Sequence, residues 1–399
     1  MKFLGYVRPD GQVGIRNHTL VVASGRGAGN LATLVANTIS GSKVFVGPNE
    51  NGRDTPDRAT IARIITGLAQ NANVGAVLIV GNKRDGGYPE FSYENIVGKI
   101  AKSGKPMDTL FMSETDGFYQ ALGEGMRKGR ALAEAASEVA RQEAGLGKLS
   151  IGVKCGYSDA TSGMSGNPVV GKLFDRVVGD GGTAIFSETT EVIGAEHLVA
   201  KRFTSVEERE KFLKAVMRVE EEAKATGEDI RSINPIPANI QAGLTTLEEK
   251  SLGAIAKAGT SPIGQCIMYG EIPRKPGLHY MDSWMSSTAL FLGFAAAGAT
   301  LTLFQMGGGW MPNNAMMPTA ATGLIAPTMY VTGNPRMYDK SPHEIDFNSG
   351  TVISDGEEIG VVGERLARLV CRVASGKLTK GETLNVQENL EVYLRGPGL

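Results

Sequence analysis

Short apolar runs that alternate with helix-like stretches constrain the fold of this chain most. Runs such as TLVVAS at residues 19–24 and VGAVLIV at residues 74–80 are rich in β-branched side chains. Continuous apolar runs of this length are typical of parallel strands buried on both faces. The predicted strands are residues 19–24, 43–46, 74–80, 109–112, 149–153, 183–186, 277–281, 301–304 and 328–331. The predicted helices are residues 29–40, 56–70, 92–103, 117–143, 169–178, 206–226, 247–258, 288–297 and 363–375, and residues 232–241 are predicted to form a loop.

The alternation of strands and helices predicts βαβ units in both halves of the chain. A chain of 399 residues has room for two or three domains of about 150 residues each. A glycine-containing break at residues 145–148 separates the two halves. We therefore predict an α/β protein with two doubly wound, mostly parallel-sheet domains, residues 1–147 and 148–399. Ligands are expected beyond the carboxyl ends of the strands.

The composition excludes several classes of protein. The 41 basic and 42 acidic residues leave a net charge of -1, so nucleic acid is not an expected partner. The longest apolar stretch, residues 286–304, is interrupted by Gly293 and Gly298, and no membrane span is predicted. The first residues lack the continuous apolar core of a secretory signal. Three cysteines are too few for a disulfide framework and predict a cytoplasmic location.

A glycine-rich turn follows the first predicted strand. Gly25, Gly27 and Gly29 precede a helix, and backbone N–H groups in such a turn can bind an anion. Glu50, after the second strand, lies about where a ribose-binding acid is found in nucleotide-binding folds. One hypothesis is therefore a Rossmann-type oxidoreductase. The third glycine does not fit the G-x-G-x-x-G spacing, so an ordinary tight turn is the alternative.

A basic and polar group precedes that same strand. Arg16 and Asn17 are predicted to bind substrate, since an arginine suits bidentate contact with a carboxylate. His18 is predicted to transfer protons near neutral pH. The alternative is a capped start of the strand with an arginine on the surface.

The densest group of polar residues follows the strand at residues 149–153. Cys155 can serve as a thiolate ligand of a metal, and Asp159 can bind a hydroxyl group or a cation. The residues predicted to bind a substrate rich in oxygen are Ser158, Ser162 and Asn167. Polar loops at strand ends commonly carry function. The alternative is an elaborate glycine and serine turn around a buried thiol.

A second group follows the strand at residues 183–186. Glu188, Glu191, Glu196 and His197 fall within ten positions, and such a set suits a divalent cation or an acid–base pair. The alternatives are a charge at a helix start for Glu191 and a solvated side chain for Glu196.

Three further residues are candidates for substrate contact. Thr246 and Glu249 have the spacing of a capping box, which places Lys250 in a first helical turn, where the helix dipole disfavours a cation. A bound carboxylate would explain that cation. Asp282 ends a predicted strand, and Asn314 lies in the glycine-rich loop that follows another.

The motifs at residues 3–11, 14–18, 154–168, 181–188, 194–197 and 243–253 together resemble the large catalytic part of the altronate/galactarate dehydratase family. This family comprises metal-dependent lyases of sugar acids. The resemblance implies that seven side chains lie in or near the site: Cys155, Asp159, Glu188, Glu191, Glu196, His197 and Lys250.

Two loops depart from the sugar-acid dehydratases of this family. The stretch GPNENG at residues 47–52 replaces a loop that usually carries His and Cys, and GNKR at residues 81–84 lacks a usual cysteine. In both loops the chain is more similar to the large subunit of the sulfolactate sulfo-lyase branch. The resemblance therefore implies a separate small subunit, and we expect a homo-oligomer.

The resemblance implies β-elimination of water or sulfite from a small 2-hydroxy acid, with the enol product becoming a 2-keto acid. A divalent metal (Fe²⁺, Mn²⁺ or Mg²⁺) is predicted on Cys155, Glu188, Glu191 and His197, and no nicotinamide or flavin is expected. The catalytic residues are predicted to be His18, Asp159, His197 and Lys250, with Lys250 and Arg16 holding the carboxylate. An oxidoreductase and a non-catalytic ligand-binding subunit are the alternatives from other classes.

Overall fold

A computed structural model describes residues 1–25, 27–81, 87–308, 323–384 and 390–396. Its strands are β1 Lys2–Val7, β2 Val13–Gly14, β3 His18–Ser24, β4 Lys43–Val46, β5 Val74–Gly81, β6 Met107–Phe111, β7 Gln142–Gly145, β8 Ser150–Gly156, β9 Thr183–Phe186, β10 Ile263–Ile267, β11 Gly277–Met281, β12 Leu301–Met306, β13 Thr328–Thr332 and β14 Phe347–Asn348.

The α-helices of the described residues are α1 Gly29–Asn37, α2 Thr55–Gln70, α3 Tyr93–Ala101, α4 Phe118–Ser137, α5 Asn167–Gly179, α6 Glu196–Ala200, α7 Val206–Ala225, α8 Ile230–Ile233, α9 Pro237–Gln241, α10 Leu247–Ile255, α11 Ser287–Ala296, α12 Pro335–Lys340, α13 Thr351–Ser354 and α14 Ile359–Ala374. A π-helical turn, Ser162–Gly166, leads into α5. Short 3₁₀ turns are Pro89–Phe91, Met112–Glu114, Leu146–Lys148, Thr189–Glu191, Ala256–Ala258 and Gly381–Thr383.

Two parallel sheets organise the described part of the chain. The larger has seven strands in the order β10-β11-β9-β8-β12-β13-β14, and the smaller has four in the order β4-β3-β5-β6. Every strand pair in these two sheets is parallel. A third, antiparallel sheet, β2-β1-β7, joins the amino-terminal strand to the segment that precedes β8. The predicted α/β class with parallel sheets is confirmed.

Helices cover both faces of each parallel sheet. On the small sheet, Leu31 of α1 packs with Val21 of β3 on one face, and Ile61 of α2 packs with Leu20 on the other. On the large sheet, α5, α7 and α14 share one hydrophobic core, whereas α11 lies in a separate core on the opposite face. Strands enclosed in this way are buried on both sides, which explains their continuous apolar sequences.

Helices α2 and α11 pack against each other between the two parallel sheets. A methyl group on Gly67 would lie 2.3 Å from the carbonyl oxygen of Ala296, so glycine is required for this close approach. Asn71 donates hydrogen bonds of 2.7 and 2.9 Å to the carbonyls of Ala295 and Ala299. The division of the chain between residues 147 and 148 stays a prediction. Phe3, from the predicted first domain, packs in the core of the large sheet.

The predicted helix at residues 117–143 is too long. Helix α4 ends at Ser137, and Gln142–Gly145 forms strand β7 against β1. Arg141 fixes this change of direction by donating to the carbonyls of Leu4, Ala374 and Ile15 at 2.7, 2.9 and 3.0 Å. Tertiary pairing with β1 therefore overrides the helix propensity of these residues.

Several short elements lie outside the predicted set. Strands β1, β2, β7, β10 and β14 were not predicted, and the predicted loop at residues 232–241 contains the end of α8 and all of α9. Strands β10 and β14 are edge strands, and short edge strands carry a weak apolar signal. Among the described residues, no helix has both the length and the apolar character to cross a membrane.

Candidate active site

The loops after β8 and β9 meet at one edge of the large sheet. These strands are parallel neighbours, with Val153 opposite Phe186, so their carboxyl ends lie side by side. The backbone N–H of Cys155 donates to Glu188 Oε2 at 3.0 Å, and the Cys155 thiol lies 3.5 Å from the same oxygen. The two polar turns that the sequence singled out therefore share a site.

Two lysines flank the Glu188 carboxylate. Lys257 Nζ donates to Glu188 Oε2 and lies 3.1 Å from Cys155 Sγ. Lys154 Nζ lies 3.2 Å from Glu188 Oε1. Glu188 is 0% exposed and Lys257 is 1% exposed. We call these four residues (Lys154, Cys155, Glu188 and Lys257) the Glu188 cluster; its carboxylate is neutralised by two ammonium groups.

Burial and charge set the protonation states in the Glu188 cluster. Burial by itself would raise the pKa of Glu188, but the charges of Lys257 and then Lys154 outweigh it and hold this pKa below its ordinary value. Burial, reinforced by the Glu188 charge, raises the pKa of Cys155 to about 11. Near neutral pH the carboxylate is therefore ionised and the thiol is protonated.

The backbone at this edge adopts unusual conformations. Glu188 has φ 79° and Tyr157 has φ 47°. Both values lie in the left-handed region, which residues other than glycine rarely adopt. Such conformations cost free energy and concentrate at functional sites. Their presence in the two loops that carry Cys155 and Glu188 supports this edge as the candidate site.

The predicted metal ligands do not fit a divalent cation as the structure arranges them. His197 is exposed on α6, and Glu191 pairs with Lys250 at 3.0 Å. Two ammonium groups already hold Glu188, and a ligating Cys155 would have to lose its proton. Among the described residues no three His, Cys, Asp or Glu side chains come together as a metal site.

Lys250 occupies a second polar network beside the Glu188 cluster. Its ammonium lies 3.0 Å from Glu191 Oε1 and donates to the amide oxygens of Asn234 at 2.6 Å and Asn239 at 3.3 Å. Asn239 in turn donates to the carbonyl of Ser158 at 2.9 Å. The predicted N-cap is confirmed, since Thr246 Oγ1 accepts from the N–H of Glu249. Glu191 supplies the negative charge that offsets a cation in this first turn.

A cavity of about 390 Å³ opens beside Lys250. Its lining includes five of the predicted site residues: Ser158, Asp159, Ser162, Asn167 and Lys250. Gly163 and Gly253 bring its two walls together, because a methyl group on Gly163 would lie 3.2 Å from the Gly253 Cα atom.

Hydrogen bonds fix the polar groups of the cavity wall. Asp159 Oδ1 accepts from the hydroxyl of Thr161 at 2.5 Å and the N–H of Ser162 at 3.2 Å, and its Oδ2 accepts from Asn334 at 3.1 Å. Asn167 donates to the carbonyl of Gly253 at 2.9 Å. The buried Asn167 Oδ1 accepts no hydrogen bond from the described residues, so it can accept one from a ligand hydroxyl.

Arg16, Asn17 and His18 lie at the opposite edge of the fold. Arg16 and Asn17 precede β3, and His18 begins it. The N–H of Arg16 donates to the side chain of Asn73, and the Asn73 amide donates to the carbonyl of Thr300. Because Thr300 directly precedes β12, this group lies near the start of the strands of the large sheet. The candidate site lies at the other ends of the strands, and the seven residues of β8 span roughly 20 Å. The structure does not bring these three residues to the cavity.

Two of these side chains stabilise the fold where they stand. Arg16 forms an ion pair of 2.6 Å with Glu382 and donates to the carbonyls of Ile15, Val373 and Lys377. Asn17 donates to the carbonyl of Ala136 at 2.7 Å. The Arg16 contacts hold the start of β3 against the carboxyl-terminal part of the chain, and the Asn17 contact holds it against the end of α4.

His18 provides a test of this placement through pH. Burial, and then the charges of Lys43 and Arg16, lower the pKa of His18 from 6.5 to about 3. The unfolded chain therefore binds more protons between these values, so the free energy of unfolding falls as the pH drops from 6.5 towards 3. We expect His18→Gln to reduce that loss by about 2–3 kcal/mol between pH 6.5 and pH 4. Urea denaturation across this range measures it, and parallel curves for the two proteins would contradict the prediction.

Asp282 and Asn314 are not part of the described cavity. Arg218 donates to both oxygens of Asp282, at 2.7 and 3.0 Å. Two larger cavities, of about 570 and 470 Å³, lie beside Asp282, but its carboxylate is already paired with Arg218. Asn314 lies outside the described residues.

Sequence reasoning missed four residues that structure the site: Lys154, Asn234, Asn239 and Lys257. Lys257 follows the predicted site residue Lys250 by seven positions, and this spacing places the two residues on one face of a helix, two turns apart. The spacing could therefore have indicated that Lys257 lies near the site. Asn239 lay in a predicted loop, where nothing in the sequence marked its contact with Lys250.

A cavity with carboxylate, ammonium and amide groups at the carboxyl ends of parallel strands is typical of an enzyme that acts on a small polar molecule. The chain belongs to the D-galactarate/altronate dehydratase family. Residues 146–396 match the family's C-terminal domain, and residues 5–137 match the second domain of D-galactarate dehydratase/altronate hydrolase. The resemblance found in the sequence is confirmed, and the chain is an enzyme of the lyase class.

Three curated relatives define the similarity. The chain is 32% identical to (2R)-sulfolactate sulfo-lyase subunit beta of Chromohalobacter salexigens, over 97% of this chain and 96% of that protein. It is 26% identical to altronate dehydratase of Bacillus subtilis, over 99% of this chain and 78% of that protein. It is 33% identical to galactarate dehydratase (L-threo-forming) of Escherichia coli, over 64% of this chain and 47% of that protein. These relatives favour a lyase over the oxidoreductase hypothesis.

Proposed function

We propose that the chain catalyses β-elimination from a small 2-hydroxy acid to give a 2-keto acid. The single observation that carries the proposal is the cavity whose wall includes both Asp159 and Lys250. A carboxylate can accept the C2 proton, and an ammonium can stabilise the negative charge that develops on the substrate carboxylate.

The proposed reaction is redox-neutral. Asp159 takes the proton from C2, and the electrons of that C–H bond form the C2–C3 double bond. The bond from C3 to the leaving group breaks, and its electron pair departs with hydroxide or sulfite. The resulting enol tautomerises to the 2-keto acid by moving its hydroxyl proton to C3.

The remaining cavity residues bind and orient the substrate in this proposal. The C2 proton of a hydroxy acid is very weakly acidic, so stabilising the developing charge contributes more than the strength of the base. Lys250 supplies that stabilisation. Asn167 Oδ1 accepts from the substrate hydroxyl, while Ser158 and Ser162 bind the other oxygen atoms. No step is assigned to His18, His197 or Arg16.

A specific observation favours sulfite as the leaving group. The sulfo-lyase subunit is 32% identical over 97% of this chain, whereas the altronate dehydratase of Bacillus subtilis is 26% identical over 99% of it. Sulfite also departs with less help from an acid than hydroxide does, because sulfite is the weaker base. We therefore propose sulfolactate as the first substrate to test.

The proposed assembly follows from the same relative. A protein named as subunit beta works with at least one other subunit, so we propose that this chain acts with a separate small subunit. A homo-oligomer and a cytoplasmic location stay predictions.

Turnover of a substrate panel tests the proposal. The purified chain, alone and with a small subunit added, is incubated with sulfolactate and with a series of aldonic and aldaric acids, with and without Fe²⁺, Mn²⁺ or Mg²⁺. We expect sulfite and a keto acid in equal amounts from sulfolactate. A keto acid without sulfite, from a sugar acid, would support the dehydratase form of the proposal instead. Binding of the acids without turnover, also with a small subunit added, would support the non-catalytic alternative.

A further inference from the structure

The donors of the Lys250 ammonium are all in use. An ammonium group has three N–H donors, and three oxygens surround Lys250 Nζ: Glu191 Oε1 at 3.0 Å, Asn234 Oδ1 at 2.6 Å and Asn239 Oδ1 at 3.3 Å. A substrate carboxylate can therefore bind this ammonium only by taking the place of one of these oxygens.

Asn239 holds the weakest of the three positions. Its contact with Lys250 is the longest, and a neutral amide oxygen attracts an ammonium less strongly than the Glu191 carboxylate does. Asn234 makes the shortest contact. Exchange with an incoming carboxylate is therefore easiest at Asn239.

Apart from the exposed ion pairs of Arg231 with Glu220 and Glu248 at its start, the segment that carries Asn239 has few anchors in the protein. From residue 231 to residue 243, the buried residues are Asn234, Pro235 and Asn239, and the rest are exposed or half-buried. Both asparagines bind Lys250, and Asn239 also donates to the carbonyl of Ser158, which lines the cavity. Loss of the Asn239 contacts with Lys250 and Ser158 would thus remove much of the buried attachment that holds residues 231–243 against the cavity.

We propose that Asn239 is a positioning residue that holds the place of the substrate carboxylate on Lys250, and that substrate binding displaces it together with α9. This inference rests on the proposed function. Before substrate arrives, the Asn239 amide keeps the buried ammonium hydrogen-bonded. When a 2-hydroxy acid enters, its carboxylate takes that position, so Asn239 sets KM through the free energy of the exchange.

Two substitutions at this position have opposite expected effects. Asn239→Ala removes the competing oxygen, and we expect KM to fall by about threefold to tenfold. Asn239→Asp has nearly the same shape but places a carboxylate beside Lys250, and we expect KM to rise by at least about tenfold. A purely packing role would instead move both variants in the same direction. Ile240→Ala, at the exposed neighbouring position of α9, is the matched control and should leave KM unchanged.

Tartronate, a 2-hydroxy acid without a leaving group on a β-carbon, separates this inference from the proposed function. Calorimetry measures its affinity, and hydrogen exchange measures the opening of residues 231–243. Three results support the inference. Asn239→Ala binds tartronate more tightly than the wild type, and Asn239→Asp binds it more weakly. In the wild type, hydrogen exchange of residues 231–243 becomes faster when tartronate binds. Equal affinities for all variants would overturn it and leave the proposed function standing. Failure of the wild type to bind tartronate and to convert the panel would overturn both.

Discussion

Replacing Asp159 with Asn is expected to lower kcat by about 10²- to 10⁴-fold, the usual contribution of a general base. The amide has the same shape as the carboxylate, so it can keep most of the contacts with Thr161, Ser162 and Asn334. It cannot accept the C2 proton. Steady-state kinetics with sulfolactate, or with the acid that proves active in the panel, measure the effect, and thermal unfolding checks that the fold is intact.

The control for this experiment is a second Asp-to-Asn change. Asp108, on β6 of the smaller sheet, has a side chain that is 43% exposed and pairs with Lys128. Asp108→Asn should keep full activity, because it lies outside the cavity. If Asp159→Asn retained more than about a tenth of the wild-type kcat, Asp159 would not be the base, and the buried Glu191 would be the next candidate.

Replacing Lys257 with Met is expected to lower the free energy of unfolding by about 3–5 kcal/mol, the usual effect of removing one partner from a buried ion pair. The remaining Glu188 carboxylate would be fully buried with only Lys154 to compensate its charge. Urea denaturation of the wild type and the variant at pH 7 measures the difference.

A double variant separates charge from packing in this second experiment. In Lys257→Met with Glu188→Gln, no uncompensated carboxylate remains, so part of the lost stability should return. Lys201→Met, at an exposed position after α6, should change stability by less than about 0.5 kcal/mol. A loss below about 1 kcal/mol for Lys257→Met would show that the Glu188 cluster is not held together by charge.

The local pattern of the sequence was enough to predict the strands that form the centres of both sheets. Continuous apolar runs such as residues 74–80 correspond to a buried strand, Val74–Gly81, because enclosure on both faces leaves no polar position. Strand β7 could not be predicted in this way. Its residues favour a helix by propensity, and only the distant strand β1 makes an extended conformation the better one.

Position relative to a strand also decided which candidate residues meet. Cys155 is near the end of β8 and Glu188 follows β9, and parallel neighbours bring such residues to one edge. Arg16 and Asn17 precede β3. The same rule, applied to residues before a strand, would have placed them at the opposite edge.

The sequence by itself determined the α/β class, the family and the edge at which polar loops gather, because these depend on local periodicity and on motifs that are read along the chain. Only the tertiary structure decided that Lys257 neutralises Glu188 and that Asn239 saturates Lys250. The physical reason is that these contacts join residues far apart in the chain or side chains in irregular segments, where neither spacing nor composition specifies a partner.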